Sequence, residues 1–471
     1  MRTECNGKAY DFQRLGKRAV VADFKGGRIS SEAGAVLLRE LEEKRGILRQ
    51  FAGCFVDHRD PRRIEHTVEE LIKQRVYGLS LGYEDLNDHD QLRQDPLLAL
   101  LVGKEDIEGQ DRVREQDRGK ALAGKSTLNR LELTPVEAGP EARYKKIGIK
   151  GGAVEEFFID AFLQAQREAP KEMVLDVDAT DDPVHGEQEG RFFHGYYREY
   201  CYLPLYIFCQ GQALCARLRR SNLDAAEGVV EELERIVGRI RQAWPEVKII
   251  VRGDSGFARE ELMSWCEARG VDYVLGLARN SRLEQALKEE LEQARQQQEQ
   301  TGKAARRFKD FRYQTRDSWS RERRVVGKAE HLAKGANPRF VVTSLSGEEL
   351  EAQRLYEQLY CARGEMENRI KEQQLDLFAD RTSAETMRAN QLRLWFSTVA
   401  YLLLHALRQW ALAGTDWAQA QCGTIRTRLL KIGAQVRISV RRIVVSLASG
   451  CPYQQVFAHA HEKLRQLPRR A

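Results

Sequence analysis

Apolar residues recur along this chain with two different periods, and the change between them divides it. Up to about Tyr144 the spacing is helical. Ser30-Ser31-Glu32 opens a run carrying Ala35, Val36, Leu37, Leu38 and Leu41, and an early Ser with an acid is a helix-start signal. Similar runs are predicted from Val68 to Leu79, from Gln91 to Leu101 and from Ser126 onward. Pro135, Gly139, Pro140, Gly148, Gly151 and Gly152 then mark a boundary, after which a helix is expected from Val154 to Arg167.

The middle of the chain reads differently. Met173 to Thr180 is a short apolar strand that ends in acids. Tyr202 to Gln210 is rich in β-formers, and Ala213 to Leu218 can pair with it across Gly211-Gln212. Ala225 to Ala243 is an amphipathic helix, Val247 to Arg252 a strand, Ala258 to Arg269 a helix and Val271 to Gly276 a strand. This succession describes a mixed α/β sheet. Leu283 to Lys309 is charged and Gln-rich, as one long exposed helix would be. Strands are expected within Phe311 to Val326 and Arg339 to Ser344, so residues 283–336 read as an insertion in the α/β domain. Helices from Glu348 to Leu375 and from Ser383 to Trp410 follow, the second with a long apolar face suited to packing on a sheet.

Composition bounds this picture without changing it. A chain of 471 residues exceeds one compact core and implies two or three domains. No run of about 18 apolar residues is present, so no transmembrane helix is expected, and Met1 to Cys5 lacks the apolar start of a secretory signal. The nine cysteines contain no CxxC pair, which argues for reduced, mostly buried thiols over a zinc site. Net charge is only +6, but from Gln421 to Ala471 ten Lys or Arg face one acid, Glu462. A basic segment of this kind suits a polyanion such as nucleic acid.

The candidate chemistry lies at strand ends. Asp176, Asp178, Asp181 and Asp182 crowd one of them, and carboxylates so close repel unless cations or protons relieve them. Asp254 follows another strand, in Arg252-Gly253-Asp254-Ser255-Gly256. Acids at the carboxyl ends of sheet strands face the crevice where ligands bind, and hard oxygen ligands from separate strands are what Mg2+ or Mn2+ prefers. A third acid is available in Tyr360 to Lys371, where Tyr360, Arg363, Glu367 and Lys371 fall three, four and four residues apart, on one helical face. Glu365 points about 200° from Glu367 on a regular helix and cannot share that face. Taken singly, a strand-end Asp is often only a turn or a cap, and such a helix face is often a salt-bridged surface. Their order along an α/β chain is what joins them. Asp176 and Asp178 lie two apart and share a strand face, so alternation does not choose between them; Thr180 and the strand's end favour Asp178.

These residues resemble the DDE transposases of bacterial insertion sequences. The pieces are Asp178-Ala179-Thr180, Asp254 after an apolar strand, and Tyr360-x-x-Arg363-x-x-x-Glu367. The longer strings Leu175 to Pro183, Val251 to Phe257 and Arg363 to Lys371 are similar to the insertion-sequence 1380 family, and the likeness runs from about Asp11 to Phe457. The wider signature places a lysine seven residues after the glutamate, where this chain has Gln374; Lys371 is the candidate for that role.

The resemblance implies an RNase H-like catalytic domain over residues 151–410 with a β-rich insertion at about 283–336. It implies a mainly helical, DNA-binding domain over 1–150 before it, and a basic segment over 411–471 after it. It also implies a bacterial, cytoplasmic, nucleoid-associated protein acting as a homodimer on double-stranded DNA, at terminal inverted repeats and at a target. Asp178, Asp254 and Glu367 would bind two Mg2+ ions, with Mn2+ as a substitute, and two ions about 4 Å apart can stabilise the attacking and leaving oxygens of a phosphodiester displacement. Tyr360, Arg363 and Lys371 would hold backbone phosphate, and Arg252 and Arg279 are further phosphate candidates. Trp319 reads as a core residue before a DNA wedge, and His185 and His194 as turn or surface residues. Two other functions share these features: an RNase H-like nuclease without strand transfer, and a DNA-binding protein that has lost catalysis.

Overall fold

The computed structural model describes residues 9–135 and 138–470. The chain separates into two units. One comprises Met1–Lys150, Asp376–Phe378 and Val399–Ala471, and the other Gly151–Leu375 with Ala379–Thr398. The basic C-terminal residues therefore group with the N-terminal ones.

The second unit is built on a nine-stranded mixed sheet. Its order is Gln212–Arg217, Leu205–Cys209, Glu172–Ala179, Lys248–Gly253, Asp272–Leu277, Arg339–Thr343, Arg323–Leu332 and Ala305–Tyr313, with the short Gly335–Ala336 hooked onto Arg323–Leu332. Glu172–Ala179, Lys248–Gly253 and Asp272–Leu277 run parallel, and the neighbours on both sides are antiparallel. Side chains alternate across the strands. Met173, Leu175 and Val177 point into the larger core with Ile249, Val251, Tyr273 and Leu275, where Phe162, Leu233, Ile236 and Met263 cover them from three helices. Val174, Ile250 and Val274 point the other way, into a smaller core closed by Leu355 and Tyr356.

The expected elements are present with shifted bounds. The Gln-rich stretch forms two helices, Ser281–Ala286 and Lys288–Thr301, and the second stops at Gly302 in the left-handed region (φ 68°). The strand after it begins at Ala305, earlier than expected, because its Arg and Lys residues lie along a sheet edge and hide the alternation. Both strands of the segment read as an insertion continue the central sheet. Trp319 is buried, edge-on to Tyr313 with Arg323 over its ring, and so is a core residue.

The first unit is mainly helical. Its helix Val68–Ser80 starts with a capping box, in which Thr67 accepts from the Glu70 amide at 3.2 Å and Glu70 accepts from the Thr67 amide at 2.8 Å. The expected helix from Gln91 to Leu101 is broken into His89–Leu92 and Pro96–Val102, because Pro96 cannot continue a helix and Asp95 caps the new one. The unit also holds an exposed hairpin, Tyr10–Leu15 with Arg18–Ala22, that the helical reading did not include. Ile29–Ser30 pairs with Ala434–Ile438, which pairs with Ile443–Leu447. No described helix is long and apolar enough to cross a membrane.

Ala33 donates to the Ile432 carbonyl at 3.0 Å, drawing two distant segments together. A Cβ on the next residue, Gly34, would lie 1.8 Å from the Leu429 carbonyl oxygen. Gly34→Ala is therefore expected to destabilise the protein by at least about 2 kcal/mol, as overpacking against unyielding backbone does, read as a lowered denaturation midpoint.

Candidate active site

The candidate carboxylates are placed by strand register. Lys248–Gly253 pairs with Glu172–Ala179 in parallel, from Lys248 opposite Glu172 to Gly253 opposite Val177. One residue further along each strand stand Asp254 and Asp178. On the next strand Gly253 pairs with Leu275, so Gly276 continues the same row. All three lie on the sheet face away from the larger core.

The row beneath distinguishes the two aspartates by their partners. Asp176 pairs with Arg252, whose Nε and Nη2 donate to its two carboxylate oxygens at 2.5 and 2.8 Å. A third donor of Arg252 reaches the Leu359 carbonyl at 2.5 Å. Both residues are buried, so Asp176 is a neutralised structural partner and Arg252 is not available to phosphate. Asp178 has no such dedicated cation. Its Oδ1 accepts from the Ala179 amide at 2.9 Å, and its Oδ2 lies 3.4 Å from Arg363 Nη1. Asp254 caps the short helical turn Ser255–Phe257 by accepting from the Gly256 amide at 2.8 Å.

A broken helix lies over this row. It begins at Ala352–Arg354, widens to a π-turn at Leu355–Tyr360, tightens to a 3-10 turn at Cys361–Arg363, is α-helical through Gly364–Lys371 and widens again at Glu372–Asp376. Such π-turns are frequent at functional sites. Arg363 and Glu367 remain four apart on one face, and Arg363 Nη2 donates to Glu367 Oε1 at 2.5 Å. Tyr360 reaches the sheet beside Gly276, where a Cβ would lie 2.5 Å from the Tyr360 hydroxyl and 2.9 Å from the Ser255 amide nitrogen. The glycine is the notch that lets the helix approach.

Asp178, Asp254, Tyr360, Arg363 and Glu367 thus share one electrostatic neighbourhood. Burial pushes the Asp178 carboxyl up to about 7, opposed by Arg363 and reinforced by the charges of Asp254 and Glu367. The hydroxyl of Tyr360 is raised mainly by burial, and Arg363 is held above its ordinary range by Asp178 and Glu367, against burial. Lys371 is exposed and bonds to none of these residues, and Arg279 is exposed beyond the end of its strand. Gln374, at the signature's lysine position, donates to the Asp181 carbonyl and to Asp182 Oδ1, each at 3.0 Å. That tie fastens the helix end to the turn after Asp178. It was not expected from the sequence, although the departure from the lysine pointed to this position.

Among the described residues no three His, Cys, Asp or Glu side chains form a cluster able to hold a metal ion. The donors nonetheless suit a hard divalent cation, because two carboxylates stand in one row with a single guanidinium between them and a third acid.

A family model covers nearly the whole chain. The model described as transposase DDE domain group 1 matches residues 12–469, and the chain belongs to that family. It is a DDE transposase, an enzyme of the class that cuts DNA and transfers strands; such enzymes generally use divalent metal ions. Among solved structures, a piggyBac transposase synaptic complex with hairpin DNA is similar at 11% identity and a TM-score of 0.38, over 85% of this chain and 79% of that one. No curated protein matches the chain.

Two outcomes test the site as described. Gly276→Ala is expected to lower DNA-nicking activity by about 100-fold at temperatures where the protein stays folded, since small displacements of reacting groups cost that much. Ionising Asp178 opposes folding, because its folded value near 7 lies above the ordinary 3.8. The penalty is absent below about pH 4, grows as pH rises and is complete above about pH 7, on the order of a few kcal/mol. In chelator, Asp178→Asn is expected to melt higher than the parent at pH 8, the gap shrinking toward pH 5; equal melting at pH 8 would contradict the burial argument.

Proposed function

We propose that this enzyme cleaves DNA at the ends of an insertion sequence and joins the freed ends to target DNA, with Asp178, Asp254 and Glu367 as its catalytic carboxylates. The observation that carries the reading is the register row: Asp178 and Asp254 on adjacent parallel strands, beneath the helix that bears Tyr360, Arg363 and Glu367. The strand order, three antiparallel strands followed by two parallel ones on the other side of the first, supports the RNase H-like assignment. The long motif strings support placement near the insertion-sequence 1380 family.

Asp178 and Asp254 would hold the metal, with Glu367 completing the set, and Mg2+ or Mn2+ fits their hard oxygens. Bound there, a divalent cation lowers the pKa of an attacking water or 3′-hydroxyl and stabilises the leaving oxygen. The residues of the chain do the rest. Arg363 pairs with Asp178 and Glu367, and with those carboxylates on a cation its guanidinium would be placed to meet a backbone phosphate in the planar, two-pronged way that arginine favours. Tyr360, fixed in the Gly276 notch, offers its hydroxyl as a second phosphate contact. The raised Asp178 carboxyl makes cation binding weaken as pH falls through about 7. Double-stranded DNA with terminal inverted repeats is the substrate in this reading, and a homodimer on DNA is the acting form.

The test uses DNA carrying the inverted repeats that flank the coding sequence. With Mg2+ or Mn2+, the protein is expected to release 3′-hydroxyl ends and to join them to a target. Asp254→Asn should reduce both by well over about 100-fold, the upper loss seen for residues one shell further out. Hydrolysis without joining would make this a nuclease only, and cleavage that survives Asp254→Asn would remove the residue from the site.

A further inference from the structure

Three of the ten Lys or Arg residues between Gln421 and Ala471 lie on one hairpin. Ala434–Ile438 and Ile443–Leu447 form an antiparallel pair that carries Arg437, Arg441 and Arg442 and no acid. One face is anchored: Ala434 and Val436 are buried with Ala33 and Leu97, and Ile438, Val445 and Leu447 pack beside them. The tip is open to solvent.

Two cations upstream of the hairpin meet carboxylates, whereas none of its own does among the described residues. Just upstream, Arg426 lies 3.8 Å from Asp376, and Lys431 lies 3.2 Å from Glu32. Arg437 reaches only the Ser446 hydroxyl, at 3.3 Å, and no described carboxylate pairs with Arg441 or Arg442. Between them the apolar Val440 is exposed as fully as in an extended chain (105%), and Ile443 and Val444 are about two-fifths exposed. The turn itself is ordered: Ser439 and Arg442 exchange backbone hydrogen bonds of 2.9 and 3.3 Å, and the Ser439 hydroxyl both donates to the Arg442 carbonyl and accepts from its amide.

We infer that this hairpin is a DNA-docking wing that enters a groove of duplex DNA, with Arg437, Arg441 and Arg442 on the flanking phosphates and Val440 against the groove. A two-stranded ribbon has the width of a groove. Unpaired arginines at its rim complement the phosphate rows, and an apolar residue at the tip is the kind of side chain that groove-binding proteins press between base steps. The fixed turn means little order has to be created on binding. The inference rests on the transposase reading for its partner and adds the surface that takes it.

The test measures binding of the full chain to a fluorescent 30-base-pair duplex of arbitrary sequence, in chelator, between 50 and 200 mM salt. Each phosphate contact contributes about 0.9 to the slope of log affinity against log salt. Replacing Arg441 and Arg442 together by alanine is expected to reduce that slope by about 2 and to weaken binding on the order of 50-fold at 0.1 M salt. Replacing both by lysine should keep the slope. Val440→Ser should weaken binding several-fold with the slope unchanged, because its contact is not ionic. An unchanged slope in the alanine variant that still melts like the parent overturns the inference. So does a changed sedimentation coefficient, which would make the hairpin an interface between copies. Binding is measured without metal, so the parent's cleavage of repeat DNA is scored separately. Cleavage with an unchanged slope refutes only the wing, and a changed slope without cleavage refutes only the transposition chemistry.

Discussion

The parallel pairing of Glu172–Ala179 with Lys248–Gly253 is the constraint on which the candidate site depends. Because the two strands are in register, every second residue of one stands beside its counterpart on the same face. That single alignment creates the Asp176–Arg252 pair and, one step further, sets Asp178 beside Asp254. A slip of one residue in either strand would turn that strand's charges toward the apolar core and part Asp176 from Arg252. The large core on the opposite face, filled by Met173, Leu175, Val177, Ile249 and Val251, prevents that slip.

The two rows illustrate how one sheet face carries two roles. In the lower row Arg252 meets Asp176 with short, two-pronged hydrogen bonds, which oppose the rise that burial gives its carboxyl. In the upper row burial drives the Asp178 carboxyl up to about 7, opposed chiefly by Arg363 at 3.4 Å. A fold optimised for stability alone would neutralise both rows. Leaving a carboxylate without a dedicated cation costs stability, a trade that functional sites commonly make.

Much of this was legible in the sequence, for identifiable reasons. The strand at Met173 to Thr180, the strand before Asp254 and the helix carrying Tyr360, Arg363 and Glu367 follow from local periodicity. What escaped was long-range. Arg252 looked like a phosphate ligand because nothing local reveals that residue 176 stands opposite it. Gly276 drew no notice, since its value lies in the approach of Tyr360 from about eighty residues away. The π-turns at Leu355–Tyr360 and Glu372–Asp376 are set by packing on the sheet and leave no mark in a helical wheel. The hairpin of Tyr10–Leu15 with Arg18–Ala22 was missed because its exposed apolar residues do not follow the core pattern.

The pairing of Ile29–Ser30 with Ala434–Gln435 also orders events in time. Residue 30 leaves the ribosome roughly 400 residues before its sheet neighbour exists, an interval of about 20 to 80 seconds at ordinary elongation rates. The unit that bears the carboxylates ends at Thr398 and can be complete while the other unit still lacks its last strands. During synthesis the helices near the N-terminus must therefore wait, partly uncovered, for the tail of the same molecule. A chain cut short by a frameshift or an early stop would retain the residues of the carboxylate row yet lose the sheet that Ile29–Ser30 joins.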